Sequence, residues 1–377
     1  MKVITIEYIK KLGKEKNDEN LDLLLDMFYN LKDLKKEIKR EIISSIGRQK
    51  NLEKIYSFIK MEVFKQEIMD FVYQMYRTLL YKSKIDKKFK ELEIRVRKFY
   101  DNEIINKMYE FYNYKKSKIK EKTFFKLDSK LLKGDSSKTL KQLPENSINL
   151  IFTSPPYYNA KEYSNYQSYN NYLLQMKNVI KECQRVLEKG RFLIINVSPV
   201  ITKRVGREFE SIRYPLHFDF HKILVEENFE FVDEIIWIKP EASVPNRFGG
   251  FYQTRKPLAY KPNCITESIM VYRSKAPFLL DKNMKKYSYN IPEDVEVEST
   301  NCWFIKPKKD KQHPAVFPEE LCERILTYYS YENDVVLDPF AGSGTFGKVA
   351  KKMNRIPILC EKNEKYIKRI EEEKICQ

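Results

Sequence analysis

The stretch of sequence that decides the fold is Asp334-Val-Val-Leu-Asp-Pro-Phe-Ala-Gly-Ser-Gly-Thr345. Its apolar run ends at Asp338, a glycine-rich turn follows at Gly342-Ser343-Gly344, and a helical pattern begins directly after the turn. Glycines let the backbone approach a ligand closely, and a helix N-terminus offers N–H groups that have no partner within the helix. The next apolar run, Ile356–Cys360, ends at Glu361, whose carboxylate could hold two ribose hydroxyls. This pattern indicates a nucleoside-binding site without naming a reaction.

Short apolar runs alternate with helical patterns on the N-terminal side of this stretch as well, from about Lys130 onward. Such alternation predicts an α/β fold with a Rossmann-like doubly wound sheet, in which a ligand lies at the strand ends. The predicted strands are 148–153, 191–197, 231–238, 265–272, 335–338 and 356–360, and the predicted helices are 172–187, 218–227 and 346–352.

The first third of the 377-residue chain has a different texture, because no proline occurs before Pro144. Apolar positions recur at three- and four-residue spacing through Leu21–Ile46 and Ile55–Leu80, and nothing in these stretches breaks a helix. We therefore expect a nearly all-helical N-terminal domain over residues 1–126 and a second domain over residues 127–377.

The net charge of +17, from 70 Lys+Arg and 53 Asp+Glu, suggests a polyanionic partner. Residues 1–130 hold 32 basic and 21 acidic side chains, so they supply +11 of that charge. The runs Lys82–Lys90 and Lys115–Lys122 could contact a nucleic-acid backbone, and the alternative is that they form solvated helix faces. The 26 tyrosines and 23 phenylalanines could stack on bases.

Several classes of protein are excluded. No apolar run approaches the roughly 18 residues of a membrane-spanning helix, and the charged N-terminus does not have the pattern of a secretory signal. We expect a cytoplasmic protein whose six cysteines are reduced. His217 and His221 have helical spacing but no neighbouring third ligand, so we expect a helix-face pair and no metal site.

The residues that point to a reaction follow the apolar run Ile148–Thr153 and read Ser154-Pro155-Pro156-Tyr157. Two consecutive prolines fix the backbone and aim its carbonyl groups. The Ser154 hydroxyl and the Pro155 carbonyl could then accept both hydrogens of an exocyclic amine while Tyr157 stacks on the base. This arrangement suits direct methyl transfer to the amine, without a metal or a covalent intermediate, on a base that has left the stack.

Thr153-Ser-Pro-Pro-Tyr157, followed by Asp338-Pro-Phe-Ala-Gly-Ser-Gly-Thr345, resembles the amino-group DNA methyltransferases of the permuted (beta) class, in which SPPY precedes FxGxG. The resemblance covers residues 131–377. It implies a circularly permuted methyltransferase sheet, S-adenosyl-L-methionine as cofactor and catalysis by Ser154, Pro155, Pro156 and Tyr157. In that family SPPY usually accompanies N4-cytosine methylation.

The same resemblance implies the cofactor site. It places Asp135 at the cofactor's adenine, Phe340 near the adenosine and residues 313–318 at the methionine end. Two smaller matches, Lys133-Gly-Asp135 and Trp237-Ile-Lys239, stand where the family has them. The implied cofactor-binding residues are Asp135, Thr153, His313, Pro314, Phe317, Asp338, Pro339, Phe340, Gly342, Ser343, Gly344, Thr345 and Glu361.

Two polar segments interrupt the α/β pattern, at residues 246–261 and 275–311. In the permuted order the second is where target recognition usually lies, and the basic residues of the first could also contact DNA. The alternative is that both are structural loops.

The resulting hypothesis is a site-specific DNA (cytosine-N4-)methyltransferase that acts on a flipped-out cytosine in double-stranded DNA, in a restriction-modification or epigenetic context. Three alternatives stay open: an N6-adenine DNA methyltransferase, an RNA base methyltransferase and a noncatalytic DNA-binding protein of the same fold. A cognate restriction endonuclease acting separately, the recognition sequence and the oligomeric state are also left open.

Overall fold

The computed structural model describes residues 4–31, 34–116, 127–158, 166–201, 206, 208–209, 212–244, 257–258, 260, 262–276, 298–308 and 316–376. The chain divides into two compact units, Met1–Glu121 and Lys122–Gln377. The boundary expected between residues 126 and 127 falls at the end of segment 117–126, which lies outside the described residues.

Every regular element described in the first unit is a helix. The helices are α1 (Ile6–Lys14), α2 (Asp18–Asn30), α3 (Lys36–Arg48), α4 (Leu52–Glu62), α5 (Met69–Lys82), α6 (Lys87–Tyr100) and α7 (Glu103–Lys116), with a 3₁₀ turn at Val63–Lys65.

The two long apolar stretches of this unit are each divided between two helices, which the spacing of their apolar residues did not indicate. The first stretch breaks after Asn30, and α3 begins at Lys36. A straight helix over all of Leu21–Ile46 would be about 39 Å long and could not fold back on itself. The break instead lets Leu21 on α2 and Ile42 on α3 become fully buried in one hydrophobic core. Tertiary packing therefore sets this boundary in the absence of proline.

The second unit is built on a sheet of eight strands. They are β1 (Lys130–Lys133), β2 (Ile148–Thr153), β3 (Leu187–Val197), β6 (Phe229–Ile238), β7 (Thr266–Ser274), β8 (Cys302–Phe304), β9 (Val335–Asp338) and β10 (Ile356–Glu361), in the order β1-β10-β9-β2-β3-β7-β6-β8. A separate antiparallel pair consists of β4 (Val200–Ile201) and β5 (Arg213–Tyr214).

Helices cover both faces of the large sheet. They are α8 (Ser136–Thr139), α9 (Tyr169–Val186), α10 (Leu216–Glu226), α11 (Glu319–Tyr329), α12 (Thr345–Lys352) and α13 (Glu364–Glu372), with 3₁₀ turns at Leu140–Gln142 and Glu241–Ser243.

Strand β2 shows why the central strands are apolar throughout. Ile151 packs in one hydrophobic cluster with residues of α9 and α10, whereas Leu150 and Phe152 pack in another with residues of α11 and α12. Successive side chains of a strand point to opposite faces, so a strand covered on both faces needs apolar residues at every position. The predicted α/β class, with a largely parallel sheet between helical layers, is confirmed.

The strand directions determine which residues share an edge. Strands β1, β10, β9, β2 and β3 are mutually parallel, so their carboxyl ends meet at one edge. The strand order reverses between β9 and β2, and ligands of open α/β sheets bind at such a reversal. Strand β7 runs antiparallel to both β3 and β6, so its first residues lie at the same edge. Across the described residues, every helix is too short or too polar to cross a lipid bilayer.

Candidate active site

A cavity of about 700 Å³ opens at the carboxyl ends of β1, β10, β9 and β2. Thirteen of the residues predicted from the sequence line it together with other side chains. They are Asp135, Ser154, Pro155, Pro156, Tyr157, Phe317, Asp338, Pro339, Phe340, Gly342, Ser343, Thr345 and Glu361.

One wall of the cavity is the turn that follows β2. Strand β2 ends at the buried Thr153, and Ser154 to Tyr157 then turn along the cavity. The Tyr157 hydroxyl donates to Oε2 of Glu267 at 3.1 Å. A polar network thus ties the aromatic residue of the turn to the first residues of β7.

Glu267 accepts hydrogen bonds from three side chains. Besides Tyr157, Nδ2 of Asn196 donates to Oε2 and Nζ of Lys239 donates to Oε1. The Lys239 and Glu267 side chains are each only 14% exposed. A buried carboxylate with three donors and a cationic partner has little freedom to reorient, so this network fixes the direction in which the Tyr157 hydroxyl points.

The protonation state of Tyr157 follows from these neighbours. Burial raises the pKa of Tyr157 well above its ordinary value, and the Glu267 carboxylate raises it further, whereas a hydrogen bond with Ser154 lowers it. The Tyr157 hydroxyl gives its one hydrogen to Glu267, so Ser154 is the donor in the bond between Ser154 and Tyr157. Tyr157 therefore remains neutral and passes a hydrogen bond from Ser154 toward Glu267.

A second wall is formed where β9 ends. The side chain of Asp338 accepts from the Thr153 hydroxyl at 2.7 Å and from the Phe340 N–H at 3.0 Å. Burial raises the pKa of Asp338 to about 7 and the nearby Glu361 contributes, while the two hydrogen bonds act in the opposite direction. This carboxyl group fixes the turn that follows β9 and links it to the end of β2.

Glu361 is held by three backbone amides. Its Oε2 accepts from the Gly342 N–H at 2.7 Å, and its Oε1 accepts from the N–H groups of Lys362 at 2.9 Å and Asn363 at 2.8 Å. Burial raises the pKa of Glu361, which these three bonds partly counteract. A carboxylate has about four acceptor positions, so one remains for an external donor. That Glu361 holds two ribose hydroxyls stays a prediction, and the Gly342 N–H of the glycine-rich turn is one of the donors that orient this carboxylate.

Asp135 lies on the cavity wall beside Glu361. Its Oδ1 accepts from the Ser137 N–H at 2.9 Å and caps the short helix α8. The preceding Gly134 has φ +125° and donates its N–H to the Glu361 carbonyl at 2.8 Å. A backbone hydrogen bond therefore joins the turn after β1 to the end of β10.

Comparison with known proteins agrees with this geometry. Residues 148–372 match the N6/N4 family described as DNA methylase. The chain belongs to that family. It is 32% identical to the type II beta methyltransferase M.BslI from Bacillus sp. (strain NEB-606) over 63% of its length, and that match spans 26% of M.BslI. It is 30% identical to the type II methyltransferase M.HpaI from Haemophilus parainfluenzae, over 65% of this chain and 74% of M.HpaI.

Among solved structures, TTHA0409 from Thermus thermophilus is 28% identical to this chain, with a TM-score of 0.49 over 65% of this chain and 93% of TTHA0409. Another structure of TTHA0409 contains S-adenosyl-L-methionine. The expectation of that cofactor agrees with membership of the methylase family.

Four of the predicted cofactor-binding residues are not among the described residues that line the cavity. Thr153 lies beneath it, bonded to Asp338. Gly344 has φ +80°, and a Cβ atom there would lie 2.8 Å from Ile375 and 2.9 Å from Ile370, so the turn needs glycine for packing. His313 and Pro314 lie outside the described residues.

The predicted Phe317 does line the cavity, where its ring stacks on Phe152 of β2 with centroids 4.7 Å apart. The hydroxyl of Ser136 on α8 donates to the carbonyl of Pro339, which connects two turns of the cavity wall. Both contacts join elements that are far apart in the sequence, so a local sequence motif cannot reveal them.

Glu267 and Asn196 are cavity residues that sequence reasoning missed. Glu267 is the second residue of the antiparallel strand β7, and motif reasoning looks for functional residues after strands rather than at their beginnings. The signal that could have found it is a carboxylate two residues before the apolar run 269–272. The sequence indicates Lys239 only as part of a family match, and its ion pair with Glu267 follows from the strand pairing.

The two histidines for which no metal site was predicted each contact an aromatic side chain. His221 Nδ1 lies 2.9 Å from the Tyr272 hydroxyl, and the ring of His217 lies against Phe218. Within the described ranges, no group of three or more His, Cys, Asp or Glu side chains is arranged to hold a metal ion.

Most of segment 246–261 and residues 277–297 and 309–311 of segment 275–311 lie outside the described residues. The described part of the second segment contains β8, which pairs with β6 at the edge of the sheet. Trp303 of β8 is buried under Arg324, whereas Phe304 is 74% exposed.

Proposed function

We propose that this protein is a site-specific, S-adenosylmethionine-dependent DNA methyltransferase that methylates the N4 amine of cytosine in duplex DNA. Residues 127–377 would form its catalytic domain, and segments 246–261 and 275–311 would recognise the target. The observation that carries the proposal is the meeting of the Ser154–Tyr157 turn with Asp338 and Glu361 around one cavity.

The cofactor half of the cavity fits a nucleoside with a charged tail. Glu361 keeps one acceptor position for a ribose hydroxyl, Asp135 stands beside it for the adenine, and the walls include Phe340 and Phe317. The N–H groups of the first turn of α12 suit a carboxylate. When bound, S-adenosylmethionine supplies an electrophilic methyl group on its sulfonium.

The other half would receive the target base. Ser154 donates its hydroxyl hydrogen to Tyr157, so the Ser154 oxygen can accept from an amine. The Pro155 carbonyl would accept the second amine hydrogen, and the Tyr157 ring would stack on the flipped base.

The network behind the turn favours this role for Ser154. Ser154 donates a hydrogen bond to Tyr157, and Tyr157 donates one to Glu267. Linked hydrogen bonds polarise one another, which makes the Ser154 oxygen a stronger acceptor. Pulling on the amine hydrogens directs the nitrogen lone pair at the methyl group. A bound S-adenosylmethionine would supply the methyl group and keep the electron pair of its carbon–sulfur bond as a neutral thioether, and the methylated amine would release one proton to solvent.

The choice of cytosine rests on Ser154, since the family usually has SPPY for N4-cytosine. Adenine N6 presents the same amine geometry and is the second candidate. A structured RNA base is the third, because the charge of the chain suits either nucleic acid.

The test is to incubate the purified full chain with labelled S-adenosylmethionine and mixed-sequence duplex DNA, digest the DNA to nucleosides and identify the methylated nucleoside by mass spectrometry. We expect N4-methylcytosine, and far less of it with Ser154→Ala. N6-methyladenine would overturn the assignment of the base. Methyl transfer to RNA alone would overturn DNA as the substrate.

A further inference from the structure

The helical unit contains a cavity of its own, of about 390 Å³, between α1, α3 and α5. Its lining is entirely polar or charged and differs in this respect from the core of the unit. The lining residues are Lys10, Lys14, Arg40, Glu41, Ser44, Arg48, Gln74 and Arg77.

Helical spacing brings the cations of this cavity together. Lys10 and Lys14 stand one turn apart on α1, and Arg40 and Arg48 stand two turns apart on α3. Residues four apart lie on the same face of a helix, so each helix presents a cationic stripe, and Arg77 of α5 completes the group. Five cations therefore face one space.

The neutralising charge within the described residues is small. Arg48 pairs with Glu41 at 2.6 Å, and this is the only carboxylate among the lining residues. Arg40 also faces Asp70, but that carboxylate is already paired with Lys36 at 2.8 Å. Five cations gathered around a single carboxylate repel each other, so the arrangement favours binding of an anion.

The cavity also offers an oriented donor. Ser44 is 7% exposed, and its oxygen accepts from Nη1 of Arg48 and from Nη2 of Arg77, both at 3.0 Å. A hydroxyl oxygen has two acceptor positions, which these guanidinium groups occupy, so its hydrogen is left to donate. Gln74 lines the same space, and its buried Oε1 has no hydrogen-bond partner within the described residues.

We propose that this cavity binds a backbone phosphate of duplex DNA. Cations and a hydroxyl donor match a phosphodiester. No aromatic side chain lines the cavity as described, so it has no surface on which a nucleobase could stack. The site therefore contacts the backbone independently of sequence and contributes affinity rather than recognition. The choice of DNA rests on the proposed function.

The test compares two charge-matched variants of the full chain. Lys10 and Arg40 are exposed side chains of the cavity with no hydrogen bond recorded among the described residues, so Lys10→Ala with Arg40→Ala leaves the packing intact. Lys60→Ala with Lys98→Ala removes the same charge from exposed helix positions of the unit outside the cavity. Alanine suits helices at all four positions.

The measurement is fluorescence anisotropy with a short mixed-sequence DNA duplex over a series of salt concentrations. We expect the cavity variant to lose affinity by on the order of tenfold or more at about 0.1 M salt and its salt slope to fall by about 1 to 2. The control variant should stay within about threefold of the unmodified protein. Circular dichroism melting of each variant confirms that the fold is kept.

Equal losses in the two variants would overturn the proposal, because they would reflect net charge alone. A loss confined to an RNA duplex of the same sequence would overturn the choice of DNA. Binding is measured without methyl transfer, so an unmodified protein that binds DNA through this cavity but transfers no methyl group would overturn the proposed function and leave the cavity assignment standing.

Discussion

At the scale of single residues, Tyr157 combines two roles that substitution can separate. Its ring faces the cavity, whereas its hydroxyl is bonded to Glu267. Phenylalanine keeps the ring and loses the hydroxyl, and alanine loses both. The proposed hydrogen bonds that link Ser154, Tyr157 and Glu267 therefore predict a smaller loss of activity for phenylalanine than for alanine at this position.

We expect Tyr157→Phe to lower kcat/KM about thirtyfold, since it loses two hydrogen bonds, with Ser154 and with Glu267, worth about 1 kcal/mol each. Tyr157→Ala should lower it much further, because base stacking contributes about 1–3 kcal/mol in addition. Steady-state methyl transfer to DNA measures both. Equal losses for the two variants would show that the ring does not stack on the target base.

Asp338 predicts a dependence of stability on pH. Its pKa in the folded protein is about 7, raised by burial from an ordinary value near 4. A raised carboxyl pKa means that folding favours the protonated form. The contribution of this group to the free energy of unfolding is therefore greatest below about pH 4 and is lost as the pH rises through about 7.

Asp338→Asn cannot titrate, but its side-chain oxygen can still accept from Thr153 and Phe340. The free energy of unfolding of the unmodified protein, minus that of Asp338→Asn, should decrease between about pH 4 and about pH 8. Urea denaturation at several pH values measures this difference. A difference that is constant over the range would contradict a raised Asp338 pKa.

At the scale of elements, the turn from β9 into α12 depends on Gly344 for packing. A side chain there would adopt φ +80° and press against Ile370 and Ile375. We expect Gly344→Ala to lower the free energy of unfolding by about 2 kcal/mol. Lys352→Ala, at an exposed position of the same helix, should change it by less than about 0.5 kcal/mol. Similar values for both variants would contradict this role.

How far sequence predicts the elements depends on what determines each one. The strand before Ser154 and the strand before Glu361 are buried on both faces, so their apolar runs revealed them directly. The break after Asn30 and the antiparallel direction of β7 depend on contacts with other elements, and no local pattern reports those.

The same reasoning applies to the site. The turn at Ser154 and the turn at Gly342 carry local motifs, which is why both could be found in the sequence. Glu267 could not be found in that way, because its place in the cavity depends on the direction in which β7 pairs with β3. The role of Gly344 in packing likewise depends on Ile370 and Ile375, which no motif links to it.

At the scale of the whole molecule, the described lining of the 700 Å³ cavity comes entirely from the second unit. The net charge of +11 in residues 1–130 lies largely in the first unit. Chemistry and nonspecific attraction to DNA would then belong to different parts of the chain. Substitutions in the cavity should affect methyl transfer, and those in the helical unit should affect DNA affinity and its dependence on salt.

The central claim is that Ser154 orients the target amine across the cavity from the cofactor. The most direct test is single-turnover methyl transfer by Ser154→Ala, together with its affinity for S-adenosylmethionine from calorimetry. We predict a rate lower by on the order of 100-fold, with a cofactor Kd within about threefold of that of the unmodified protein. A normal rate, or a rate that falls only in proportion to cofactor binding, would contradict the account.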